Sequence, residues 1–189
     1  MCNFSEKAML NRRILRIKAF KELFAIEMLP DKSLASASKE LDAAMESTRD
    51  LYLFMLASVS ALTRVAQERF AQLQKKVNKT EEEKSPNLKF ANNALAPLFD
   101  NDPDFSKLLK KKGFDWGAYD LILKKIYASV QTKDYYREYM SDSVASLRDD
   151  CRLFSHIFEE EFVDREDMEK ALEDLEEAYV RAIRHLEQT

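Results

Sequence analysis

Leu51-Tyr52-Leu53-Phe54-Met55-Leu56-Ala57 is the longest uninterrupted apolar run in the 189-residue chain. It is far shorter than the roughly 20 residues that a membrane-spanning helix needs. An apolar run in a soluble chain is either a buried strand or the centre of a helix touched from several sides. The rest of the sequence decides for helix. Gly113 and Gly117 are the only glycines and there are four prolines, whereas strands and their turns use more of both. Ala, Leu, Glu, Lys and Arg, which favour helix, are abundant instead. The fold class expected is all-α, a helical bundle with this run at its centre and the first helix packed against it.

Outward from the run, apolar residues recur at helical spacing. A first helix is expected over 11–28, with Leu10, Ile14, Ile17, Phe20 and Phe24 as its core-facing stripe. Asp31-Lys32-Ser33 can cap a second, which buries Leu34, Ala37, Leu41 and Met45. A long helix over 47–77 continues the central run through Leu62, Val65, Phe70 and Leu73, with Arg64, Arg69, Lys75 and Lys76 facing out. The polar stretch 78–87, which contains Pro86, reads as a linker, and 88–105 as short or irregular structure. Beyond it come a short helix stopped at Gly113, a helix over 118–130 on Leu121, Ile122, Ile126 and Tyr127, and one capped by Thr132 that carries Tyr135, Tyr136 and Tyr139. Two longer helices follow. The stripe of 143–162 is Val144, Leu147, Cys151, Phe154 and Phe158. That of 165–187 is Met168, Leu172, Leu175, Tyr179, Ile183 and Leu186, spaced nearly as a heptad seam.

Hydrophobic residues make up 46% of the chain and charged residues 34%, too apolar for a disordered chain and too charged for a membrane protein. The formal net charge of −4 is not spread evenly. Arg12, Arg13, Arg16, Lys18 and Lys21 follow one another with no acid between them, whereas acids dominate from Glu159 to Glu177. Helix N-termini prefer negative charge, so a basic cluster in the first turns opposes the macrodipole and points to a use other than helix stability. The acidic stretch reads first as a solvated helix face, and more sharply as a surface that keeps RNA away or receives a basic protein.

No catalytic signature is found. His156 and His185 are the only histidines, and neither sits in an HExxH or Glu-x-x-His arrangement. His156 and Glu160 are one turn apart, which is too little for a metal site. There is no GxSxG elbow, and neither glycine belongs to a phosphate-cradling loop. Tyr135, Tyr136 and Tyr139 can in principle stack on unpaired bases, but aromatics at helical spacing more often pack a core. Cys2 and Cys151 form no CxxC and read as free thiols of a reducing compartment. With no long apolar segment near the N-terminus, the address expected is cytoplasmic, with no membrane partner. The expected function is binding, with no catalytic residue, no metal and no cofactor.

The segment from Leu10 to Phe24, LNRRILRIKAFKELF, resembles the opening helix of the NusB family of transcription antitermination factors: an arginine-rich start, then a small residue, a hydrophobic one, and Leu followed by an aromatic. The matching positions are Arg12, Arg13, Arg16, Ala19, Phe20, Leu23 and Phe24. The later DLYLFMLASV, from Asp50 to Val59, is similar to that family's buried third helix. The resemblance covers 9–78 as an N-terminal helical subdomain. Residues 79–189 are similar to the inserted helical region of long-form members, while the family's own C-terminal half is not found in them. The resemblance implies a NusB-like helical bundle with an additional helical region. It also implies an RNA-binding role: recognition of a boxA-like single-stranded element of nascent ribosomal RNA, together with the ribosomal protein NusE and the transcription elongation complex. Arg12, Arg13 and Arg16, with Lys18 at the margin, are the residues expected to contact RNA, since a guanidinium fork suits phosphate and base edges. The alternative is a non-catalytic helical adaptor for protein–protein interaction. The residues before Met9 are expected to stand outside the fold.

Overall fold

The structure, a computed structural model, describes residues 12–29, 33–78, 80, 85–142 and 146–162. All of their regular structure is helical. Among the described residues there are seven α-helices: α1 (Arg12–Met28), α2 (Leu34–Lys75), α3 (Leu95–Asp100), α4 (Pro103–Lys112), α5 (Asp120–Val130), α6 (Asp134–Ser141) and α7 (Leu147–Ile157). A 3-10 turn, Trp116–Tyr119, precedes α5, and a π turn, Phe158–Phe162, follows α7. The expected helix over 165–187 and the segment before Met9 lie outside the described residues.

Packing divides the chain into two compact units that part between Leu53 and Phe54, inside α2. In the first unit, α1 has nearly the bounds read from the sequence. Its stripe does not behave as expected. Ile17, Phe20 and Phe24 are 48%, 68% and 53% exposed, and Leu23 and Met28 are exposed as well. The helical period was legible there, but no described neighbour buries the face it defines. The two helices expected over 34–45 and 47–77 are one continuous helix, α2. No glycine or proline interrupts that stretch, and a Ser-rich beginning is not a break. Ser33 does cap α2: its Oγ accepts from the Ser36 N–H at 3.1 Å. Ala37 is buried, Leu41 and Met45 are half-buried, and Leu34 is exposed.

In the second unit the core begins at Phe54. Leu51 and Tyr52, expected at the centre, are exposed. The buried face of α2 instead extends towards its C-terminus through Phe54, Ala57, Leu62, Val65 and Ala66. Phe54 stacks on Trp116, ring centroids 4.3 Å apart, and its carbonyl accepts the Trp116 Nε1–H at 2.7 Å. The indole is therefore buried with its one donor satisfied. Phe90 forms a second aromatic node, against Tyr127, Tyr136 and Phe154.

Local chemistry sets the short helices. The Asp102 side chain accepts from the N–H groups of Asp104 and Phe105 with Pro103 in the first turn, which starts α4. Gly113 ends it at φ 69°, where the Phe114 N–H reaches the Leu109 carbonyl. Thr132 does not cap α6 as expected. Its hydroxyl donates to the Ser129 carbonyl and closes α5, and Lys133 stands at the α6 N-cap position. Ser146 is the true cap of α7, accepting from the Asp149 N–H.

Ile126 and Tyr127 of α5 and Phe154 of α7 are buried as expected, but the rest of each stripe is shifted. In α5 the buried residues are Leu123, Ile126, Tyr127 and Val130, while Leu121 is exposed. In α7 they are Asp150, Leu153, Phe154 and Ile157, while Leu147 and Cys151 are exposed. A buried aspartate is the reason the α7 stripe is misleading: aspartate is rarely fully buried, so a reading by apolar period places that position outside.

Candidate nucleic-acid interface

The first turns of α1 present the basic residues singled out in the sequence. Arg12, Arg13 and Arg16 are exposed, Lys18 is half-buried and Lys21 is exposed. The helix has no acid in its first turn. Arg12 and Arg16 are one turn apart, so the two guanidinium groups rise from the same face and can meet adjacent phosphates of one strand. Below them Phe20 and Phe24 stack with ring centroids 6.5 Å apart, on the exposed apolar face of the same helix.

The three tyrosines considered for base stacking belong to the second unit and to its core. Tyr136 and Tyr139 are buried and Tyr135 is half-buried. Burial pushes all three hydroxyl pKa values well above the ordinary value, and for Tyr139 the Asp150 carboxylate adds to the rise. Tyr135 is stacked on His156, 5.4 Å between centroids, so the histidine is held by an aromatic partner. Glu160, one turn from His156, pairs with Lys133 at 3.4 Å, and Lys133 also reaches the buried Glu161 at 3.3 Å. The Glu161 hydrogen bond is the first cause that raises the Lys133 pKa. Among the described residues, no three of His, Cys, Asp and Glu converge as ligands for a metal ion.

Two arrangements in the second unit carry no signal in the sequence. One is a buried polar chain. Asp150 accepts from the Ala94 N–H at 2.7 Å and the Tyr139 hydroxyl at 2.6 Å, while Asn93 donates to Thr63 Oγ1 and accepts from the N–H groups of Leu95 and Ala96. Asp150 and Asn93 thereby serve the donors at the start of α3, which has no side-chain cap at Ala94 itself. The other is a cleft of about 190 Å³ whose lining includes Lys89, Tyr135, Tyr139, Arg152 and His156, with Glu138, Asp142 and Asp149 supplying opposite charge. Lys89 is used structurally: it donates to the carbonyls of Tyr139 and Asp142 at the end of α6 and lies 4.3 Å from the Tyr139 ring centroid. The cleft thus mixes charges of both signs and holds no focused field.

Compared with family models, curated proteins and solved structures, the chain finds no match in any of the three. No described helix is long and apolar enough to cross a membrane.

Proposed function

We propose that the chain is a cytoplasmic, non-catalytic RNA-binding factor of the NusB type, which takes boxA-like single-stranded RNA on the first turns of α1 and works with the ribosomal protein NusE in the transcription elongation complex. The observation that carries this reading is the exposure of Arg12, Arg13 and Arg16 together on consecutive turns. Their charge opposes the helix macrodipole, so it is not explained by helix stability. Arginine is the side chain whose rigid fork matches phosphate and base edges. The test is titration of the purified chain with a boxA-like RNA and a scrambled RNA at two salt concentrations. Binding that favours the boxA-like RNA and weakens with salt supports the reading. Equal and salt-insensitive signals for both RNAs overturn it.

A second reading, a helical protein–protein adaptor, is favoured by the exposed Ile17, Phe20, Leu23 and Phe24, since a contiguous apolar helix face in water marks an interaction surface. The two readings separate by whether RNA or only protein is retained by the purified chain.

A further inference from the structure

The face of α1 that no described neighbour buries is centred on Phe20, with Ile17 and Phe24 exposed beside it. At roughly 100° per residue, Arg12, Arg16 and Glu27 fall on one side of Phe20, and Ile17 and Phe24 fall on the other. The charges stand at opposite ends of the apolar stretch: Arg12 and Arg16 come before Phe20, Glu27 after it. All three are exposed, and among the described residues their side chains have no partner within the chain. The face is therefore self-complementary about Phe20, which is what a two-fold contact between identical surfaces requires.

We infer that the occupant of this face is a second copy of the same helix, running antiparallel, with the two-fold axis beside Phe20. That axis brings residues equally far before and after Phe20 to one level, so Phe20 meets Phe20 of the other copy. Along one edge Ile17 is within one residue of the level of Phe24 of the other copy. Along the other edge Glu27 of the other copy stands between Arg12 and Arg16. Two such charge sites form, one at each end, and their complementarity sets the direction. A parallel pair places Arg12 and Arg16 beside Arg13 of the other copy and leaves Glu27 with no cation of α1 within a turn. A pair of 17-residue helices buries less than the roughly 1,200–2,000 Å² of stable complexes, so the dimer is weak, with a Kd between about 1 µM and 1 mM. The pairing rests on the adaptor reading, whose partner it names, and needs no RNA.

Sedimentation equilibrium of the full chain between about 1 µM and 1 mM tests the pairing, since so small an interface is half-formed within that range. The parent should pass from monomer to dimer. Phe20→Asp places two like charges at the axis and should weaken association at least about tenfold. Glu27→Arg should weaken it too, because arginines then meet arginines. Both positions are exposed, so the helical signal of each variant should match the parent. For the direction, chains carrying Arg13→Cys and chains carrying Glu27→Cys, both in a Cys2→Ser and Cys151→Ser background, are mixed with a short bifunctional thiol reagent. Residues 13 and 27 share one level across the antiparallel pair, whereas the two copies of residue 13 are about 21 Å apart along it. The mixed product should therefore predominate over products of like chains. A parent that stays monomeric at the highest concentration, a dimer that Phe20→Asp leaves as tight, or cross-links chiefly between like chains overturns the inference. A monomeric parent still leaves an adaptor for a different protein standing, and that reading is decided separately by what the purified chain retains.

Discussion

The Tyr139 hydroxyl donates to Asp150 at 2.6 Å, and both side chains are buried, so a buried carboxylate ties α6 to α7. The other carboxylate oxygen accepts the Ala94 N–H and so holds the start of α3. Replacing Asp150 with Ala leaves a buried hydroxyl and a backbone donor without their acceptor. A loss of about 3 kcal/mol is expected, from about 1–3 kcal/mol for each abandoned group. Asp150→Asn retains an acceptor oxygen and should lose less. Urea unfolding of the three proteins measures the difference, and an Asp150→Ala variant as stable as the parent would show that the bond contributes nothing net.

The same neighbourhood makes stability fall in alkali. Tyr135, Tyr136 and Tyr139 keep their protons to higher pH in the fold, chiefly because burial penalises tyrosinate. The unfolded chain loses those protons near the ordinary value of about 10. Raised folded values mean that the native state binds more protons above that pH, so their contribution is complete below it and is lost as pH climbs past it. Unfolding by alkali, followed by circular dichroism together with tyrosinate absorbance, should show helicity lost in one transition with the tyrosinate that the Tyr135→Phe, Tyr136→Phe and Tyr139→Phe changes remove. That part of the tyrosinate signal appearing while helicity is unchanged would contradict this.

Phe54 and Tyr52 sit two residues apart in one apolar run and are expected to behave oppositely. Phe54 is fully buried against Trp116, and truncation to Ala should cost roughly 3–5 kcal/mol. Tyr52 is 60% exposed, and its truncation should change stability by no more than about 0.5 kcal/mol. Denaturant midpoints of the two variants decide the comparison. Equal losses would place the core at Leu51 rather than Phe54.

That contrast shows what the sequence conveys and what it withholds. Scarce glycine and helical spacing are enough for an all-α fold, and α1, the Gly113 stop and the Ser33 cap follow from local rules. Which face of a helix is buried depends on its neighbours. An all-round apolar run such as 51–57 has no preferred face, so its period could not reveal that the core starts at Phe54. Asp150 was illegible for the opposite reason: its burial is tolerable only because Ala94 and Tyr139 arrive from elsewhere in the chain. The basic turns of α1 were legible because the order of charges along a chain needs no tertiary information, and those arginines are exposed.

Those basic turns carry the functional prediction. Changing Arg12, Arg13 and Arg16 together to Ala should weaken binding of single-stranded RNA and flatten its dependence on salt. Every phosphate left without its arginine takes roughly 0.7 from the slope of log affinity against log salt, so three such phosphates take about 2. The fold should be nearly unaffected, because exposed charges contribute little to stability, and the helical signal and denaturant midpoint of the triple variant should match the parent. A triple arginine variant that keeps the parent's affinity and slope would show that RNA, if bound at all, is held elsewhere.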